Sequence, residues 1–221
     1  KRRPPLDVLD ARPLAEALAA RRNMYYFARF EEIDGELFRF DTRIYLNSYD
    51  TTEESICVGA IVGKNPGSAS PKELGKLLPL DLNNDKMLPT VRNRFRDGFK
   101  LADKEIPKNA FVRVWNLFYL CNKDLDAACK IASTYKSLPL CSTENEATPL
   151  VWYGWGGSDS RLNGFKERFL RSQFKQEFCY DHDLSVVAEG KPTQETFAKH
   201  TQGMPAKPVN EYLAKYCTNR S

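Results

Sequence analysis

The sequence predicts an α/β protein with three layers, in which helices cover both faces of a central four-stranded, mainly parallel sheet. After residue 55, apolar runs rich in β-branched and aromatic residues alternate with segments of helical periodicity. Strands that alternate with helices in this way pair in parallel, because each helix carries the chain back across the sheet. The first apolar run also ends in a Gly/Pro turn, and open α/β folds keep their binding sites at such strand ends.

The chain length suits one domain with an amino-terminal extension. It has 221 residues, of which 42% are hydrophobic and 28% are charged, so it can bury a single core. We place the extension at residues 1–50 and the α/β domain at residues 51–221.

The extension is expected to hold a helix and a β-hairpin. Residues 13–22 have a proline near the start and arginines in the last turn, as helices prefer. Residues 29–46 alternate between apolar and polar positions around Asp34-Gly35, which is a typical hairpin turn.

The α/β domain is expected to hold four strands and four helices. In the first helix, Val91, Phe95 and Phe99 recur on one face. A polar loop is predicted at 70–85. The strands are predicted at 56–62, 110–120, 150–157 and 185–189, and the helices at 89–102, 124–132, 160–178 and 210–217.

The charge distribution does not argue for a general electrostatic attraction to nucleic acid. The net charge of +4 comes from the first 30 residues, and the rest of the chain is balanced. A site for a polyanion must therefore be a local patch.

Cysteine and histidine usage argues against a metal centre or another cofactor. The six cysteines form no CxxC pair, and there are only two histidines. We expect free thiols in a reducing compartment, no membrane-spanning segment and a monomer in the cytoplasm.

Two asparagines follow predicted strands and are candidate site residues. Asn65, in the turn 63–67, can orient a water molecule through its carbonyl oxygen, or it can simply be a turn residue. Asn116 ends the second strand, and its amide can donate to and accept from a pyrimidine edge, or it can cap a loop.

The order of four segments resembles the uracil-DNA glycosylase superfamily over about residues 55–210. These segments are the turn Gly63-Lys64-Asn65-Pro66-Gly67, the strand end at Asn116, the glycines of 154–157 and the loop 203–208. The turn is close to the GxNPG of the mismatch-specific and single-strand-selective branches, and the whole chain is more similar to an uncharacterised bacterial and phage branch. The resemblance implies a four-stranded parallel sheet and a proline-containing loop that enters the DNA minor groove.

The resemblance also implies roles for individual residues. Lys207 stands where the family often has a histidine that stabilises the departing base, and His200 is the other candidate for that role. The expected catalytic residues are Asn65, Lys207 and His200; the expected base pocket is Gly63, Lys64, Pro66, Gly67, Ser68 and Asn116; the expected DNA contacts are Gly203, Met204, Pro205, Lys191 and Arg92.

Small residues after the turn predict an open pocket. Uracil-restricted members have a large ring there, whereas this chain has Ser68, Ala69 and Ser70, which either leave space or simply suit the turn. The expectation is a monofunctional DNA glycosylase that removes a 5-substituted pyrimidine, such as hydroxymethylated or glucosylated cytosine, in defence against phage. The alternatives are a non-catalytic binder of modified DNA or nucleotides, and a hydrolase of nucleosides or nucleotides.

Overall fold

In a computed structural model, residues 25–67, 71, 73–82 and 85–219 are described, and they form one mixed β-sheet with helices packed against it. The strands are β1 (Tyr26–Ile33), β2 (Glu36–Tyr45), β3 (Ile56–Gly63), β4 (Leu77–Pro79), β5 (Ala110–Asn116), β6 (Val151–Tyr153), β7 (Glu177–Asp181) and β8 (Val186–Glu189). The helices are α1 (Met87–Leu101), α2 (Leu125–Ala132), α3 (Asn163–Arg171) and α4 (Ala206–Thr218). The predicted helix at 13–22 lies outside the described residues.

The sheet is larger and more mixed than the sequence predicts. Its order is β4-β1-β2-β5-β3-β6-β7-β8. Only the central strands β5, β3, β6 and β7 run parallel to one another, and the outer strands pair antiparallel. The prediction of a four-stranded, mainly parallel sheet is therefore wrong for the whole sheet, which has eight strands among the described residues.

The predicted hairpin is confirmed, and it extends the central sheet. Asp34 and Gly35 have φ angles of 53° and 78°, as a two-residue turn between twisted antiparallel strands requires. Strand β2 then pairs antiparallel with β5, with Thr42 opposite Val114. The edge of the parallel strands is thus covered by β2, β1 and the short β4.

The predicted helix at 160–178 is wrong in its second half. The segment holds a short 3₁₀ turn, helix α3 and then strand β7. From Phe178 onward the burial alternates between faces, because Phe178 and Tyr180 pack in one core cluster and Cys179 packs in the other. The predicted fourth strand is β8, an antiparallel edge strand beside β7.

Helices cover both faces of the sheet, as the sequence predicts. The first core cluster joins one sheet face to α1 and α4, with Phe95 and Leu213 among its members. The second core cluster joins the other face to α2 and α3, with Ala128 and Phe169 among its members. The six cysteines are free thiols, four of them buried.

Helices α1 and α4 are in tight contact at Gly98. A Cβ atom at this position would lie 2.6 Å from the Cβ atom of Leu213 and 3.2 Å from its carbonyl carbon. The neighbour is the rigid base of a side chain and backbone, so it cannot move aside without displacing α4.

We therefore predict that Gly98→Ala lowers the free energy of unfolding by about 1–3 kcal/mol, because overpacking outweighs the better helix propensity of alanine. The matched control is Gly164→Ala in α3, where no atom lies within 4 Å of the new methyl group. That variant should be unchanged or up to about 1 kcal/mol more stable. Chemical denaturation measures both, and equal stability of the two variants would contradict the close contact.

Candidate functional site

Strands β3 and β5 end side by side at the carboxyl edge of the parallel strands. Gly63 is the register partner of Asn116. A Cβ atom at position 63 would lie 3.2 Å from Asn116 Oδ1 and 3.6 Å from the sulfur of Met87. The amide of Asn116 therefore lies over Gly63, and a side chain at position 63 would crowd it.

Asn116 is buried with an unused donor. The residue is 1% exposed, and its Nδ2 has no hydrogen-bond partner. Its backbone oxygen is held by Arg168 Nη2 at 2.5 Å, so the strand end itself is fixed. A buried donor without a partner costs about 1–3 kcal/mol. An amide in this state is a candidate contact for a ligand, and its side-chain nitrogen caps no loop.

Asn65 is oriented by a neighbouring loop. Its Nδ2 donates to the backbone oxygen of Asn122 at 2.7 Å. This bond leaves Oδ1 as the acceptor end of the side chain. Pro66 beside it is buried, and Gly67 has a φ of 71°, in the left-handed region that favours glycine. Ser68, together with residues 69 and 70, lies outside the described residues.

Lys64 extends from the same turn across the end of β6. Its Cε and Nζ atoms lie 2.9 and 3.2 Å from the position of a Cβ atom at Gly156, whose φ is 88°. A side chain at position 156 would displace the flexible end of Lys64, and the positive φ of this residue also favours glycine. The ammonium charge lowers the pKa of Asp159 and of His200, although other interactions contribute more in each case.

A backbone connection brings His200 to this edge. The amide of Gly156 donates to the carbonyl of Ala198 at 2.7 Å, and the amide of Lys199 donates to that of Tyr180 at 2.9 Å. Residues 198–200 therefore cross the ends of β6 and β7.

His200 is electrostatically biased toward its neutral form. Its pKa is lowered first by burial and then by Lys64, and Asp85 opposes both. Its Nδ1 accepts from the backbone N–H of Gln202 at 3.3 Å, so the neutral ring carries its proton on Nε2 and can donate there.

Lys207 and Met204 do not join this group. The Lys207 side chain is 86% exposed, in the first turn of α4, and lies 3.9 Å from Glu211. Met204 is half-buried and packs against the first core cluster, and its contact with DNA stays a prediction. Gly203 and Pro205 on either side are exposed.

Lys191 and Arg92 lie toward the opposite edge, where the parallel strands begin. Lys191 Nζ donates to the carbonyl of Ser172, just after α3. Arg92 donates to the carbonyls of Tyr45 and Leu46 at 2.9 and 2.8 Å. Both charges thus hold backbone carbonyls in place, and contact of these residues with DNA stays a prediction.

Sequence reasoning missed two buried polar residues near the site. Thr201 is 2% exposed and follows His200, and its hydroxyl has no partner. Arg39 is 2% exposed on β2, and its Nε has no partner. A threonine in a loop and an arginine in an alternating strand carry no signal of burial in the sequence.

Comparisons of the chain with protein-family models, with curated proteins and with solved structures give no match. In the part of the chain that is described, no three His, Cys, Asp or Glu side chains are grouped to hold a metal ion. No helix there is both long enough and apolar enough to cross a membrane.

We predict that His200 titrates below the ordinary histidine pKa of about 6.5. Lys64→Met should raise this pKa, and Asp85→Asn should lower it further, because the two charges act in opposite directions. Asparagine can still cap α1, where Asp85 accepts from the amide of Met87 at 2.7 Å. NMR titration of the imidazole measures all three values.

The lowered pKa of His200 also determines how the free energy of unfolding changes with pH. As the pH falls below about 6.5, the unfolded chain takes up the proton first, so His200 lowers the free energy of unfolding. His200→Gln should reduce the acid-side loss in that window. A His200 pKa at or above 6.5, or no response to Lys64→Met, would contradict the described electrostatics.

Proposed function

We propose that the chain is a DNA glycosylase that hydrolyses the N-glycosidic bond of a modified pyrimidine and leaves an abasic site. The observation that carries the proposal is the buried side chain of Asn116, whose nitrogen has no partner and whose oxygen lies over Gly63, beside the turn that holds Asn65. A flipped base is recognised by hydrogen bonds to its Watson–Crick edge, and Asn116 Nδ2 supplies a donor for an oxygen or ring nitrogen there.

Asn65 positions the attacking water. Its nitrogen is held by the Asn122 carbonyl, so Oδ1 is fixed as an acceptor for a water hydrogen. The water oxygen forms a bond to the anomeric carbon, and the proton that it loses passes to solvent. An amide cannot take that proton, so Asn65 acts by orientation while the sugar develops oxocarbenium character.

His200 stabilises the departing base. The electron pair of the broken C–N bond leaves with the base nitrogen, which becomes anionic. A neutral imidazole with its proton on Nε2 donates a hydrogen bond to that anion. The nearby ammonium of Lys64 also stabilises the negative charge on the base. We therefore assign the role to His200, because the Lys207 side chain extends into solvent.

Two further features support this proposal. The four parallel strands inside the larger sheet agree with the uracil-DNA glycosylase resemblance. The turn 63–67, Asn116 and the glycines that follow β6 all lie at the carboxyl edge of these strands. The proposal includes a 5-substituted pyrimidine as substrate, phage DNA as its source, and a monomer that acts in the cytoplasm without a metal.

We predict that Asn65→Ala and His200→Ala each lower base excision at least about 100-fold, because each removes a group that acts in the transition state. Lys207→Ala is the control and should stay within about threefold of the wild type. In the assay, oligonucleotides containing uracil, hydroxymethylcytosine or glucosylated hydroxymethylcytosine are incubated with the protein. Alkali then cleaves the strand wherever a base has been removed.

The same assay separates the rival functions. Tight binding of the oligonucleotides without abasic sites would identify a non-catalytic binder. Release of bases from nucleosides or nucleotides alone would identify a monomer hydrolase. Loss of excision in Lys207→Ala but not in His200→Ala would reverse the assignment of the leaving-group role.

A further inference from the structure

Arg39 is a buried cation without a visible counter-ion. It is 2% exposed, its Nε has no hydrogen-bond partner, and no carboxylate among the described residues lies within ion-pair distance of it. Burial lowers the pKa of the guanidinium, while Cys121 and Asp85 act in the opposite direction. A buried charge lowers the stability of the fold unless a partner compensates for its lost hydration.

A β-bulge turns Arg39 toward the site. Asp41 has a φ of 46°, and the register of β1 and β2 shifts at this point, so that an extra residue of β2 is accommodated. Beyond the bulge, Arg39 pairs with Phe30, which belongs to the first core cluster. Arg39 therefore lies on the sheet face that carries α1 and α4. Asn116 Oδ1 and the sulfur of Met87 meet over Gly63 at this same face.

Strand β2 also reaches past the end of β5 to the loop that holds Asn65. The amide of Arg39 donates to the carbonyl of Tyr119 at 2.9 Å, and the amide of Cys121 donates to that of Leu37 at 2.8 Å. The next residue, Asn122, is the one whose carbonyl binds Asn65.

The carboxylate of Asp85 acts electrostatically on both Arg39 and His200. Asp85 raises the pKa of both residues, so both feel its charge. Asp85 itself is fixed at the start of α1, where its Oδ1 accepts from the amides of Met87 and Leu88 at 2.7 and 3.2 Å. Asp85, at the start of α1, is therefore close enough to both Arg39 and His200 to act on their charges.

We propose that Arg39 is a specificity-determining residue of this site, which binds oxygen atoms on the 5-substituent of the flipped pyrimidine. This inference rests on the proposed function. The planar guanidinium has several donors in fixed directions, so it suits a carboxylate or the hydroxyl groups of a sugar. A methyl group in the same place would leave the buried Nε–H of Arg39 unpaired, and sites with an unpaired buried donor strongly reject ligands that lack the acceptor.

The test measures binding, so it does not depend on base excision. The full chain carrying Asn65→Ala is titrated against labelled oligonucleotides with one central cytosine that bears a 5-methyl, 5-hydroxymethyl, glucosylated 5-hydroxymethyl or 5-carboxyl group. The methyl oligonucleotide controls for size without an acceptor. We expect at least one oxygen-bearing oligonucleotide to bind about tenfold more tightly than the methyl one.

Adding Arg39→Met should reduce that preference to less than about threefold and leave the Kd of the methyl oligonucleotide within about threefold. Arg39→Lys should retain part of it. The matched control is Arg29→Met on β1, whose guanidinium lies over the ring of Phe40 on the opposite face. It should leave the preference unchanged. Circular dichroism melting checks that each variant is folded.

Several outcomes would overturn the inference. One is that the protein binds all four oligonucleotides equally well. Another is that the preference persists in Arg39→Met, and a third is that Arg39→Met weakens binding to all four equally. If the excision assay fails but the Arg39-dependent preference is present, the hydrolytic function is wrong and the recognition role stands. A stronger response to the carboxyl group than to the sugar identifies an anionic substituent, and the reverse identifies a glycosylated one; either supports the inference.

Discussion

The parallel pairing of β3 with β5 is the constraint on which the site depends. It sets Gly63 beside Asn116, and the missing side chain at position 63 lets the amide fold over the strand end. Because this pairing lies inside an eight-stranded sheet with helices on both faces, the two strand ends have little freedom. The turn 63–67 follows directly from this rigid base, and the loop that contains Asn122 then fixes the orientation of Asn65. Polar groups on a rigid edge keep their geometry without a ligand.

The strong local signals in the sequence were sufficient for part of the fold. Asp34-Gly35 predicted the hairpin because both residues tolerate positive φ, and the β-branched run before Gly63 predicted a buried strand. Strand β7 was missed because it is five residues long and follows a helix after a short gap. The eight-stranded sheet could not be predicted either, since the pairing of β2 with β5 depends on residues about 70 positions apart.

The site was only partly predictable for a related reason. Asn65 and Asn116 stand at strand ends, and the topology alone brings such positions together. The burial of Arg39 could not be predicted, because a single bulge reverses which residues of β2 lie on each face of the sheet. The carbonyl contacts of Arg92 and Lys191 could not be predicted, because a basic side chain is as well suited to a phosphate as to a backbone carbonyl and only the tertiary structure shows which carbonyls are in reach.

The way in which His200 is held has an evolutionary consequence. Main-chain hydrogen bonds from residues 198 and 199 to the ends of β6 and β7 set the path of this segment, and such bonds are indifferent to side-chain identity. The residues that lead up to the imidazole are therefore free to diverge between related proteins while the ring stays in place. We therefore expect no conserved sequence motif around this histidine. Related proteins are better recognised by the main-chain hydrogen bonds between this segment and the strand ends.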